Sequence, residues 1–263
     1  ISLGLVGSEM CIRDSSELFT LSHGLANKLA ITTSAAGARA GQFFTTQPSI
    51  TVQDAQGNRV STSVTRISAT LLDSNGNATT AVVWRDLARS ASDSTAGVVN
   101  FGASDSTRLA INGLIGSYQI IYTIVDGSGN QVVGTSTVTQ NITLGAGPAA
   151  APVITQGPPS DIGAGVVFTS APRVKLQDEF GNDITTDNVS TVTMSLVTEA
   201  SSVFTVVKQP GTTTDITPTT VTVINGVATF AGTSFVAALA SNYKLLFQID
   251  GLSTTCLLYT SDA

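Results

Sequence analysis

The sequence predicts an all-β chain folded as two tandem β-sandwiches, and three observations carry the prediction. Apolar residues alternate along short runs, Asp-x-x-Gly-Asn turns separate the runs, and an ordered set of blocks occurs twice. Alternation is the primary signal because a strand sends successive side chains to opposite faces, whereas a helix returns them at every third or fourth position. Over Tyr118 to Val125 one face carries Tyr118, Ile120, Tyr122 and Ile124, and later in the chain the same slots hold Tyr243, Leu245, Phe247 and Ile249. The reverse faces carry Gln119, Thr123, Lys244 and Gln248, as expected of strands that cover a core on one side and meet water on the other. Arg66 to Leu71 alternates likewise, with Ile67, Ala69 and Leu71 opposed to Arg66, Ser68 and Thr70.

Turn chemistry supplies the boundaries. Asp54, Asp73, Asp126 and Asp178 each open an Asp-x-x-Gly-Asn turn. The aspartate can accept bonds from its own turn backbone and glycine tolerates positive φ, so each turn ends one strand and starts the next.

Self-comparison decides the organisation. Ala40 to Asn58 recurs as Ala164 to Asn182, with the turn aspartates Asp54 and Asp178 124 positions apart. Gly97 to Phe101 matches Gly226 to Phe230, and Tyr118 to Ile124 matches Tyr243 to Ile249. Separate blocks repeated in one order point to two homologous units. Ahead of them, Leu18 to Leu25 resembles Leu246 to Leu252 and reads as the end of a preceding copy. Between them, Gly145 to Pro152 has no strand alternation and two prolines, a linker short enough to limit a hinge without freezing it. The second copy is expected to lack the closing strand that Gln131 to Leu144 supplies to the first, which would leave an unpaired sheet edge.

Both ends read as translated sequencing adapter. Cys256 to Ser261 can be encoded as TGTCTCTTATACACATCT, and the reverse complement of that string, in another frame, encodes Met10, Cys11, Ile12, Arg13 and Asp14. With such ends excluded, the expected organisation is 1–15 and 256–263 as adapter-derived artefact, 16–27 as the end of a preceding repeat, 28–147 as the first sandwich and 148–255 as the second.

The exclusion removes Cys11 and Cys256, the only cysteines, so the remainder offers no disulfide, zinc knuckle or thiol nucleophile. It leaves 15 acidic and 11 basic residues, a net charge of −4. That balance argues against a nucleic-acid or anionic-membrane surface, which needs clustered Lys and Arg. His23 is the only histidine and sits ahead of the first repeat, so a Ser-His-Asp triad is not supported. The turn Asp and Asn residues offer oxygen ligands for Ca²⁺ at domain junctions, but no dense Asp-x-Asp-x-Asp loop occurs, and ordinary turn chemistry accounts for them. Trp84, the only tryptophan, suits a sheet-packing role, with a sugar-stacking platform as the alternative. No catalytic, cofactor-binding or metal-ligating residue is therefore assigned.

Tyr118 follows Gly116-Ser117 and Tyr243 follows Ser241-Asn242, each at the start of a late strand, the position of the tyrosine corner in immunoglobulin-like sandwiches, with an ordinary half-buried strand tyrosine as the alternative. The pattern Lys28-Leu29-Ala30-Ile31-Thr32-Thr33, then Ala40-Gly41, Phe44-Thr45, Gln47-Pro48 and Val52-Gln53-Asp54-x-x-Gly57-Asn58, resembles the bacterial immunoglobulin-like repeats of large adhesin or invasin-type surface proteins. The resemblance implies non-catalytic spacer or display units in a secreted or cell-surface protein. Its implied partners are neighbouring repeats in the same chain, with surface glycans or a host cell-surface protein as further candidates. The alternatives are a carbohydrate-binding accessory module of a secreted hydrolase and an immunoglobulin-like decoration of a phage particle. The second copy departs from the pattern where Pro152 to Pro159 stands in place of the first strand.

Overall fold

The computed structural model describes residues 18–62, 65–86, 91–159, 166–198, 203–204, 207–208, 215–216, 219–235, 243–252 and 256–259. Among these residues every regular element is a β-strand, and two hydrophobic cores form. The fold is all-β and immunoglobulin-like.

Around the first core, β1 (Lys28–Thr33), β2 (Ser49–Gln53) and β6 (Val98–Asn100) make one antiparallel sheet with β2 in the middle. The facing sheet contains β3 (Arg66–Asp73), β5 (Ala91–Asp93), β8 (Gly116–Val125) and β9 (Val138–Leu144), in the order β5-β3-β8-β9. A short ribbon of β4 (Val82–Trp84) and β7 (Ile111–Gly113) completes this half. The alternation read from sequence is what closes the core. Tyr118, Ile120, Tyr122 and Ile124 point inward from β8 and are buried, as are Ile67 and Ala69 from β3. Phe101 meets Tyr122 across the sandwich with ring centroids 6.0 Å apart.

Around the second core, β10 (Ala151–Gln156), β11 (Arg173–Gln177) and β17 (Val227–Thr229) form one sheet, β11 in the middle. The facing sheet has β12 (Thr191–Thr198), β13 (Val203–Phe204), β19 (Tyr243–Ile249) and β20 (Cys256–Tyr259) in the order β13-β12-β19-β20, with β16 (Thr219–Thr222) also paired to β12. A third small sheet joins β14 (Val207–Lys208), β15 (Asp215–Ile216) and β18 (Ser234–Phe235). Phe230 and Phe247 stand where Phe101 and Tyr122 do in the first half, their centroids 5.4 Å apart.

The correspondence extends to strand irregularities. Lys28 pairs with Gln53 and the β1–β2 register breaks between Ile31 and Thr33. Ala151 pairs with Gln177 and the β10–β11 register breaks between Ile154 and Gln156, β10 displaced by 123 positions from β1 and β11 by 124 from β2. Both halves also use the same two-residue hairpin, with positive φ at Ala96 and Gly97 and again at Asn225 and Gly226, as the right-handed strand twist favours.

Two expectations are corrected. The stretch beginning at Pro152 is not a departure from the first strand: it is that strand, β10. Proline is accepted because β10 is the outermost strand of its sheet, where a missing N–H need not break a ladder. The edge of the second half is not left unpaired either. β20 pairs antiparallel with β19, Leu245 opposite Tyr259 and Gln248 opposite Cys256. Cys-Leu-Leu-Tyr is a run of apolar residues suited to an open ladder. It occupies only part of the slot that β9 fills beside β8, where pairing runs from Tyr122–Val138 to Gly116–Leu144.

Candidate functional site

The most elaborated polar site lies where the two halves meet, and it is built from one of the Asp-x-x-Gly-Asn turns. All four turns share a backbone: the aspartate N–H donates to the asparagine carbonyl and the glycine N–H returns to the aspartate carbonyl. In each, one aspartate oxygen accepts two N–H groups of the turn. What differs is the second oxygen.

At Asp178, Oδ1 accepts from the Phe180 and Asn182 N–H groups, each at 2.9 Å. Oδ2 accepts from the Gly147 N–H at 2.8 Å and from Asn182 Nδ2 at 2.9 Å. The carboxylate therefore grips its own turn and the connecting segment together. It also orients the Asn182 amide, which reaches back to the first half. Asn182 Nδ2 donates to the Gly113 carbonyl and Oδ1 accepts from the Ile115 N–H, both at 2.9 Å. Asn182 is 5% exposed, so these bonds are shielded from competing water, where an unmade bond is costly. Burial is the largest single influence on Asp178 and acts to raise its pKa, but the bonds from Asn182, Gly147 and Phe180 together hold it below the usual carboxylate value.

Apolar and backbone contacts surround this clamp. The Phe180 ring packs against the first core and faces Gly41, where a Cβ would press on the ring. Gly145 donates to the Ala38 carbonyl and accepts from the Ala40 N–H, each at 3.0 Å. A Cβ on Gly147 would collide with the Ala40 carbonyl oxygen, so glycine is required for this close approach. The segment read as a limited hinge is thus hydrogen-bonded on both sides, to residues 38–40 of one half and to Asp178 of the other.

Asp54 repeats half of this arrangement. Its Oδ1 accepts from the Gln56 and Asn58 N–H groups, and its Oδ2 accepts from the Gly24 N–H at 2.8 Å and Asn58 Nδ2 at 3.0 Å. The Gly24 bond first, then the Asn58 side chain, hold this carboxyl at about 2 against an ordinary 3.8. Gly24 therefore stands to Asp54 as Gly147 stands to Asp178. At the same offset of 123 positions, Leu18 to Leu21 align in sequence with Asn141 to Leu144 at the end of β9.

The other candidate residues lie apart. Trp84 is 8% exposed, its Nε1 donates to the Ala69 carbonyl at 2.9 Å, and its ring lies 6.4 Å from that of Phe44. It is a core residue rather than a platform. Beside it a small cleft is lined by Phe43, Arg85, Asp86 and Arg108, with the two guanidinium groups 5.2 and 4.4 Å from the Phe43 ring centre. His23 bonds the Gly24 carbonyl and the Thr62 hydroxyl. The Tyr118 hydroxyl donates to the Leu114 carbonyl at 2.8 Å, the tie expected of a tyrosine corner; the Tyr243 side chain lies outside the described residues. Among the described residues no group of three or more His, Cys, Asp or Glu side chains converges to hold a metal ion. No described helix is long and apolar enough to cross a membrane.

No family model matches the chain, and no curated protein matches it. Solved structures give remote matches. An apo β-glucuronidase 3 of Bacteroides uniformis is 12% identical over 89% of this chain and 24% of its own, with a TM-score of 0.30. A β-glucuronidase from glycoside hydrolase family 2 is 12% identical over 86% and 30%, also at 0.30. The E. coli chaperone DraB is 11% identical over 89% and 98%, at 0.28. The chain spans about a quarter of the length of the first of these.

Proposed function

We propose that the chain is a tandem of immunoglobulin-like units acting as a non-catalytic spacer in a secreted or surface-displayed protein, with the adhesin-like stalk as the leading setting. The observation that carries the reading is the junction. A spacer works by transmitting position, so its value depends on how little the joint bends. Here the joint is not a free linker. Asp178 binds the connecting segment, and Asn182 binds the neighbouring half through a buried amide that both donates and accepts. Such double recognition fixes orientation as well as distance, since an amide plane satisfied at both ends cannot rotate without breaking a bond.

The proposal is tested by Asn182→Ala. The substitution leaves the Gly113 carbonyl and Ile115 N–H without their partner and is expected to cost about 1–3 kcal/mol at the joint. Backbone amide exchange at Ile115 and Gly147 should accelerate while exchange in the central strands β3 and β12 stays unchanged. Unchanged exchange at both junction amides would contradict the spacer reading.

A glycan-binding accessory module is the second reading, and the cleft at Phe43, Arg85 and Arg108 is the feature that favours it now that Trp84 lies in the core. Glycan binding abolished by Phe43→Ala, with the fold intact, would support that reading over the spacer.

A further inference from the structure

We infer that Gly24, Asp54 and Asn58 form a docking socket for the end of another immunoglobulin-like unit placed ahead of them in the polypeptide. The inference rests on the spacer reading and extends it to a second joint. Three contrasts between equivalent residues support it.

The first is the amide. Asn58 is positioned by Asp54 as Asn182 is by Asp178, with the same bond from Nδ2 to the aspartate Oδ2. Asn182 is buried against Gly113 and Ile115, whereas Asn58 is exposed. Its Oδ1, and the second hydrogen of its amide nitrogen, are thus presented in the orientation that elsewhere grips a loop carbonyl and a loop N–H. The second contrast is the connecting segment: Gly147 is buried between Ala40 and Asp178, while Gly24 makes the same bond but is exposed on its other side.

The third contrast identifies the occupant. Phe19 and Leu21 take the positions of Ile142 and Leu144, which close the first core at 6% and 1% exposure. Phe19 and Leu21 are 86% and 88% exposed. Large apolar residues with this exposure are what a closing strand looks like without its core, and Leu18 beside them is exposed as well. Leu21 also lines a groove with His23, Asn58, Arg59 and Thr62. A unit whose last strand is Leu18–Leu21 necessarily delivers its end to this groove, because only Ser22 and His23 separate that strand from Gly24. The occupant is therefore a unit of the same class, offering a loop equivalent to Gly113-Leu114-Ile115.

The test inserts a second copy of residues 28–140 between residues 17 and 18 of the full chain, so that Leu18 follows Gln140 as Asn141 does. Hydrogen–deuterium exchange is compared between the parent and extended chains. Amides of Phe19 to Leu21, those of the Asn58 turn, and those of the inserted Gly113–Ile115 loop should each slow by at least about tenfold. Asn58→Ala in the extended chain should restore fast exchange in the turn and loop while leaving Phe19 to Leu21 protected. Unprotected Phe19 to Leu21 would overturn the assignment of that strand. Protection there without slowing at Asn58 would overturn the socket. Either result leaves the spacer reading standing if Asn182→Ala still loosens the existing joint, and that reading fails separately if it does not.

Discussion

At Tyr122 the two halves differ by one oxygen atom. The hydroxyl of Tyr122 is buried with no hydrogen-bond partner, and burial pushes its pKa up; the equivalent position in the second core is Phe247, fully buried with nothing to satisfy. A polar group buried without a partner opposes folding, so Tyr122→Phe is expected to raise the unfolding free energy by about 1 kcal/mol. Urea denaturation reads the change, and a loss of similar size would mean that the hydroxyl is satisfied. A comparable contrast separates Ala96, at φ 49°, from Asn225, at φ 50°. Left-handed backbone costs alanine about 1–2 kcal/mol and asparagine less, so Ala96→Asn should raise the melting temperature, and a lower one would place the strain elsewhere. Asp54 adds a pH dependence. Its folded pKa of about 2 lies below the ordinary 3.8, so its contribution is complete above the ordinary value and is lost as pH falls through the folded one. Stability should decline between those values and decline less in Asp54→Asn, measured by denaturant unfolding at each pH. Equal slopes in the two proteins would remove Asp54 from the account.

At the scale of elements, the strands that could be read from the sequence were those whose information is local. β8 and β3 alternate cleanly, and the turns at Asp54, Asp73, Asp126 and Asp178 each carry their own Asp and Gly. β10 was hidden because Pro152 argues against a central strand, and its edge position is a property of the assembled sheet. β20 was hidden because its sequence marks it as foreign to the repeat, while an open ladder accepts any short apolar run. The junction was harder still. Asn58, Asn77, Asn130 and Asn182 occupy one position of one turn motif, and only the segment packed on the turn separates a clamp from a surface bend. The signal within reach was the Gln-Asp pair, Gln53-Asp54 and Gln177-Asp178, which the other two turns lack. For β20 the expectation is concrete. Removing residues 256–263 should uncover the β19 ladder and lower the melting temperature of the C-terminal half by a few degrees, each kcal/mol being worth roughly 4–8 °C in a domain of this size. An unchanged transition would mean that β20 contributes nothing to the sheet.

For the whole molecule acting as a spacer, the joint matters more than either sandwich. Each half has its own core, and the connection between them is short, glycine-bearing and bonded to both. A flexible connection would let the halves tumble separately, and the same residues would then be a linker in the ordinary sense. The bonds of Asp178 and Asn182 predict instead that the halves move as one body on the nanosecond scale. Residual dipolar couplings measured on the backbone amides of β3 and β8 in one half, and of β12 and β19 in the other, test this most directly. A single alignment tensor should fit both sets in the parent chain, and separate tensors should be needed in Asn182→Ala. Separate tensors already in the parent would contradict the account.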